Sequence, residues 1–173
     1  MKSGRVTRFF KANKTLIIRA VLIALIILVM SVIFGFSAQT GDESSGVSSG
    51  LMQALMKMVG IDPEGLSEEA FITAERVLRK LGHFTEYAVL GALVCWLILT
   101  YNVKRWLCVA FAVAFSFVYA CLDELHQLLV PDRGARFTDV LIDTGGSLCG
   151  AAFAVCVVIV ALAISHKKKK KAK

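Results

Sequence analysis

His83 and Glu86 stand three residues apart. On a helix that spacing puts an imidazole and a carboxylate on one face, where they can exchange a proton as general acid and base. Asp123 and Glu124 precede His126 and Gln127, and Asp139 and Asp143 lie one helical turn apart. Brought together, the carboxylates of Asp123, Glu124, Asp139 and Asp143 would offer oxygen ligands to a hard divalent cation. Arg133 and Arg136 lie between the two acidic pairs and supply planar forks suited to phosphate or carboxylate. Lys80, Tyr87, Gln127 and Asp143 complete a candidate binding set. Each also has a plainer role. His83 can cap a helix, Asp123 and Glu124 can be solvated at a helix end, and Arg133 and Arg136 can form a turn paired with Asp132 or Asp139. H-E-x-x-H does not occur, so that zinc motif is absent. The five cysteines include no C-x-x-C pair and read as buried small apolar residues, not disulfides or zinc ligands.

These residues sit at the edges of four apolar runs: Ala20–Phe36, Phe84–Leu99, Trp106–Leu122 and Val140–Ser165. Of 173 residues, 57% are hydrophobic and 19% charged, with a mean hydropathy of +0.68. Soluble domains run near 45–50% and about 25%, so a cytosolic enzyme, a disordered tail and a secreted disulfide scaffold are all disfavoured. A spanning helix takes about 20 apolar residues. The expected fold is therefore all-α, a four-helix transmembrane bundle. Residues 1–19 form a basic N-terminus, 20–165 the membrane domain and 166–173 a poly-lysine tail. Lys2, Arg5, Arg8, Lys11 and Lys14 resemble the n-region of a signal peptide, but the run that follows exceeds the usual 7–15 residues. It is expected to remain as an anchor.

The one long connection, 38–80, opens on the turn-like Gly41–Gly46. It continues as an amphipathic helix with Val47, Leu51, Leu55, Met58 and Val59 on its apolar face. Asp62-Pro63-Glu64-Gly65 is expected to break this helix, and Ser67 to cap a second short one carrying Phe71, Ala74, Val77, Leu78 and Leu81.

Basic residues give an orientation. Fourteen of the 20 lie in the two termini and at Lys104-Arg105, where there is no acidic residue; all 13 acidic ones fall on the other connections or span ends. The positive-inside rule then places both termini in the cytoplasm and the 38–80 loop outside. The net charge of +7 thus describes topology and not nucleic-acid binding. Lys167–Lys171 with Lys173 reads as a tail held at the anionic inner leaflet.

Ionisable residues at membrane depth mark functional sites by default. Here they gather at the outer ends of three spans. At 100° per residue, Arg76, Arg79, Lys80, His83, Glu86 and Tyr87 occupy roughly 120° of one helix face. Ser116, Tyr119, Asp123 and Gln127 form a stripe on the third span. On the fourth, Gly146 and Gly150 continue the face of Asp139 and Asp143 inward as a small-xxx-small packing pattern.

Four strings, Phe36-Ser37-Ala38-Gln39, Lys80 to Tyr87, Asp123 to Gln127 with Val130 to Arg133, and Asp139 to Asp143 with Gly146 and Gly150, resemble the VanZ-like family over about residues 34 to 150. The chain carries Asp132 where that family often has glycine, and Asp143 where asparagine is also common. The resemblance implies a small multi-span bacterial membrane protein of the cytoplasmic membrane, adds Gln39 to the candidate binding residues, and implies an association with low-level teicoplanin resistance.

The favoured reading is an outward-facing site that binds or modifies a cell-envelope component, either a membrane lipid or a lipid-linked or cell-wall precursor. His83, Glu86, Asp123, Glu124 and Asp139 are its candidate catalytic groups, with a divalent cation as a conceivable cofactor. The alternative is a structural protein whose polar residues only staple helices. On that alternative, exchanging the charges of Arg136 and Asp139 would preserve function. Transport is weaker, for lack of an internal repeat or broken helices.

Overall fold

The computed structural model describes residues 3–62 and 65–171, with side-chain surroundings from 13 to 170 outside that gap. Met1, Lys2, Pro63, Glu64, Ala172 and Lys173 lie outside the described residues, as do the side chains of Arg5, Arg8, Lys11 and Lys171. The chain is all-α, with five helices among those residues: α1 (Ser3–Ser37), α2 (Gly41–Val59), α3 (Glu68–Leu99), α4 (Arg105–Gln127) and α5 (Phe137–Lys171). All but α2 are long and apolar enough to cross a membrane.

The turn-like reading of Gly41–Gly46 is corrected, because these residues are the first turns of α2. Thr40 and Glu43 form a capping box: the Glu43 amide donates to Thr40 Oγ1 at 3.3 Å and the Thr40 amide to Glu43 Oε2 at 3.0 Å. That satisfies two donors at the helix start and outweighs the two glycines. Nor does Asp62-Pro63 end the helix. Gly60 does, at φ 79°, with its own amide and that of Ile61 bonding back to Lys57 and Met56. A residue without Cβ adopts that left-handed turn freely.

The second short helix expected in the loop is not separate. Ser67 caps it as expected, accepting from the Ala70 amide at 3.3 Å, but it continues into the second span without a break as the 32-residue α3. Gly82 does not interrupt it, since one glycine costs only about 1 kcal/mol in a helix this long.

Helix α3 is the hub, packing on each of the other four and most extensively on α5. The core contains many small groups, among them Cys95, Cys108, Ala112, Ala120, Ala151 and Ala154, with Tyr87, Ile33 and Leu90 as its largest fully buried side chains. Small residues let backbones approach and gain dispersion where no aqueous hydrophobic force acts. Gly146 meets the Phe84 backbone, Gly150 meets Ala88, and from the other side Gly91 meets Ser147. The packing role expected for Gly146 and Gly150 holds, with Gly91 as an unforeseen third member.

Of the five cysteines, Cys95 and Cys108 are buried, Cys121 is half-buried, and Cys149 and Cys156 are exposed on the outside of the bundle. The expectation of burial fails for the last two, because a face turned to lipid is as apolar in sequence as one turned to protein.

Two ties hold α1 to the bundle. At the end of the bundle where α3 turns into α4, Arg19 donates from Nε to Thr100 Oγ1 and from Nη2 to the Thr100 carbonyl, both at 2.9 Å, and covers the Tyr101 ring at 3.7 Å. Further along, Tyr119 donates its hydroxyl proton to the Met30 carbonyl at 2.7 Å. The end of α1, the whole of α2, the start of α3, the end of α4 and the start of α5 come together at the opposite end of the bundle.

Candidate functional site

At that α2 end, α3, α4, α5 and the 128–136 connection enclose a recess of about 250 Å³. Eight of the expected residues line it: Lys80, His83, Glu124, Gln127, Arg133, Arg136, Asp139 and Asp143. Arg76, Arg79, Asp132, Gly134 and Ile142 complete the wall.

The 128–136 connection closes the recess because it is pinned at three points. Glu124 Oε2 accepts the Arg136 amide at 2.6 Å, at the start of α5. Arg133 Nη2 reaches the Phe36 carbonyl at 3.3 Å, and the Pro131 carbonyl accepts from Gly41 at 3.3 Å. Asp132 turns the chain with φ 59°, the left-handed region where glycine is at ease and aspartate is tolerated. The turn packs so closely that a Cβ at Gly41 would overlap the Asp132 carbonyl.

Asp139 does not pair with Arg136. Lys80 Nζ, from α3, donates to its Oδ1 at 2.5 Å. The charge exchange that tests stapling is therefore at Lys80 and Asp139. Lys80→Asp alone is expected to cost about 1 kcal/mol or less for a half-exposed pair, plus the repulsion of two facing carboxylates. Lys80→Asp with Asp139→Lys should restore much of the loss, measured as thermal stability of the detergent-solubilised protein.

Asp123 lies below the recess and does not line it. Its Oδ2 accepts the Ser37 hydroxyl at 2.7 Å and the Gln127 amide at 3.4 Å, while Gln127 Nε2 also reaches Ser37 Oγ at 3.2 Å. All three side chains are buried. Asp123 thus ties the end of α1 to α4 and sets the position of Gln127 in the recess wall. Tyr87 is fully buried in the core, its ring 6.1 Å from that of Tyr119, and is not a wall residue either. Deeper on the same stripe, Ser147 donates to Ser116 Oγ at 2.8 Å, joining α5 to α4.

His83 and Glu86 are neighbours without a hydrogen bond, Nδ1 standing 3.8 Å from Oε2. Only His83 lines the recess. Glu86 and Gln39 line a second cavity between α1, α2 and α3. His126 turns away and stacks on Phe34 at 4.6 Å. The four carboxylates considered as cation ligands are divided: Asp123 serves Ser37, Glu124 the Arg136 amide and Asp139 Lys80, leaving buried Asp143 in the recess wall. Among the described residues no three His, Cys, Asp or Glu side chains converge to hold a metal ion.

The basic side differs. Arg79 has a carboxylate partner, its Nη2 donating to Glu75 Oε1 at 2.9 Å and to Ser45 Oγ at 3.0 Å, although its Nε, like that of Arg133, is buried without an acceptor. Arg133 has no carboxylate partner among the described residues, and its Nε is buried without any acceptor. Burial, and then the nearby Arg79 guanidinium, push the Arg133 guanidinium below its usual value. A cation held in that way gains most from an anion placed beside it.

Three contributors carry little signal in the sequence alone. Glu75, one turn before Arg79, was legible as an i,i+4 pair. Arg79 was visible on its helix face but looked like one basic residue among several. Ser37 stands in the Phe36-Ser37-Ala38-Gln39 string, but as a small polar residue closing an apolar run it carries no further signal of its own.

A hub helix packed through glycines, four apolar helices and polar side chains collected at one bundle end define a multi-pass helical membrane protein with a polar recess. The chain belongs to the VanZ/LLP1 family, whose family model matches residues 22–160. No curated protein and no solved structure matches it at a significant level.

Proposed function

We propose that the recess binds the phosphate or carboxylate group of a cell-envelope component at the outer face of a bacterial cytoplasmic membrane. Both chain termini would then be inside. The orientation is supported by the fourteen basic residues, unaccompanied by acidic ones, at the termini and the 101–105 turn. One observation carries the binding reading: the Arg133 guanidinium is half-buried at the recess with its Nε lacking an acceptor. Buried polar groups are nearly always satisfied, and exceptions call for a ligand or a functional reason. Among the described residues no Ser, Thr or Cys lines the recess, and His83 and Glu86 are not hydrogen-bonded to each other. Binding is accordingly the reading, and not nucleophilic catalysis. A bearing on teicoplanin susceptibility rests on family resemblance and would follow from holding a cell-wall precursor.

The structural alternative draws on a specific observation too, since the Ser37–Asp123–Gln127 group and the Lys80–Asp139 pair do join helices. Binding separates the two readings. In nanodiscs of neutral lipid, titration with glycerol phosphate is expected to show saturable binding. Arg133→Gln should weaken it tenfold or more, as for loss of a charged hydrogen bond, while Lys104→Gln at the opposite end should not. No saturable binding to the unaltered protein would sink the proposal.

A further inference from the structure

The polar recess shares a wall with an apolar space. The second cavity, of about 190 Å³, is bounded on its apolar side by Phe36, Val47, Leu51 and Leu78. Arg79 and His83 line both cavities. On one side of these two side chains are guanidinium and carboxylate groups, and on the other mostly hydrocarbon.

The apolar cavity also reaches the surface of the bundle. Phe36, Val47 and Leu51 are 41%, 52% and 51% exposed. Helix α2 is turned inside out for a helix in water. Ser44 and Ser48 are buried against the protein together with Met56, while Leu51, Leu55, Met58 and Val59 are exposed. Such a helix is at rest with its apolar face in the hydrocarbon boundary of a bilayer, so the rim of the apolar cavity is continuous with lipid.

What could fill both spaces has two chemical parts. A soluble phosphate would leave the apolar half empty of matching surface. A neutral glyceride would leave the Arg133 Nε unsatisfied. With Lys80 paired to Asp139 and Arg79 to Glu75, the arginines of the polar recess that have no ion pair among the described residues are Arg76, Arg133 and Arg136. Guanidinium groups match phosphate oxygens in geometry and charge.

We propose that the two cavities are one site for a membrane lipid with a phosphate head. The phosphate lies against Arg133, a hydrocarbon chain lies between α2 and α3, and Arg79 and His83 stand where head meets chain. The lipid enters sideways from the bilayer past Leu51. This rests on the anion-binding reading above and adds the chain to it.

The test uses the full chain in nanodiscs of neutral lipid. Two photoreactive probes are compared, a phosphatidate and a diacylglycerol, each with a diazirine on one acyl chain near the glycerol. The phosphatidate is expected to label the segments 47–51 and 78–86, at least tenfold above the diacylglycerol. Arg133→Gln, and separately Leu51→Trp, which fills the apolar cavity from a half-exposed position, should each lower that labelling tenfold or more. Labelling by phosphatidate only on the outward faces of α1 and α5, with glycerol phosphate still binding, overturns the lipid inference and leaves the anion site standing. Equal labelling of 47–51 by both probes overturns the assignment of a phosphate head. If neither glycerol phosphate nor phosphatidate binds, both readings fall together.

Discussion

Gly150→Leu is expected to abolish the folded protein. A Cβ at this position would overlap the carbonyl oxygen of Ala88, and the carbonyl carbon and Cα of the same residue lie just behind it. These are backbone atoms of another helix, so no rotamer change can make room. The two helices would have to separate, and the α3–α5 contact is the most extensive in the molecule. Overpacking a tight core with even a methyl group costs about 1–3 kcal/mol, which sets the expectation for Gly150→Ala. Leucine adds three further carbons into the same backbone. Gly145→Ala is the matched control. Its Cβ would meet only a Phe84 ring atom at 3.9 Å, an ordinary contact, so stability should hardly change. Recovery of monodisperse protein in detergent and its resistance to denaturant would report both. Separating α3 from α5 also parts Lys80 from Asp139, so any Gly150 variant that survives should have lost its anion binding.

The second large effect is expected at Asp123. Asp123→Ala removes the acceptor shared by the Ser37 hydroxyl and the Gln127 amide in a buried place. Each polar group left unpaired costs about 1–3 kcal/mol. The end of α1 should loosen from α4, and with it the Phe36 carbonyl that Arg133 holds. Asp123→Asn keeps one acceptor oxygen and should be milder. Because Ser37, Asp123 and Gln127 act as one group, Ser37→Ala combined with Asp123→Asn should cost less than the two losses added together, with a coupling of about 0.5–3 kcal/mol. Strict additivity in thermal or denaturant stability would show that the group does not work as a unit. The same variants should weaken glycerol phosphate binding even though neither residue lines the recess, since Gln127 and Arg133 depend on them for position.

Much of this protein follows from its order of residues. Four apolar runs of near-spanning length need no tertiary context to become helices, because in lipid a backbone must satisfy its own hydrogen bonds. Ser67 as a cap, the small residues at Gly146 and Gly150, and the inward stripe of Ser116, Asp123 and Gln127 were legible for a similar reason: each depends on one helix and its period. The loop residues were harder. Gly41–Gly46 looks like a turn by composition, and only the reciprocal Thr40–Glu43 bonds make it a helix start.

Partnership was decided by the fold. Asp139 has Arg136 close in sequence, yet it faces Lys80, 59 residues away on α3. Asp123 meets Ser37 across 86 residues. Gly150 is small for the sake of Ala88, and Gly91 for the sake of Ser147. Helical period says which side chains share a face. The rotation of each helix about its axis, and hence whom that face meets, is set by how backbones pack against each other. Two helices of one sequence pattern can satisfy their own hydrogen bonds at any rotation, and only glycine-to-backbone contact and buried polar pairing select one. That selection brings eight expected residues around one recess and leaves Tyr87 in the core. It also joins the recess to a second, apolar cavity through Arg79 and His83, an arrangement that no single helix contains.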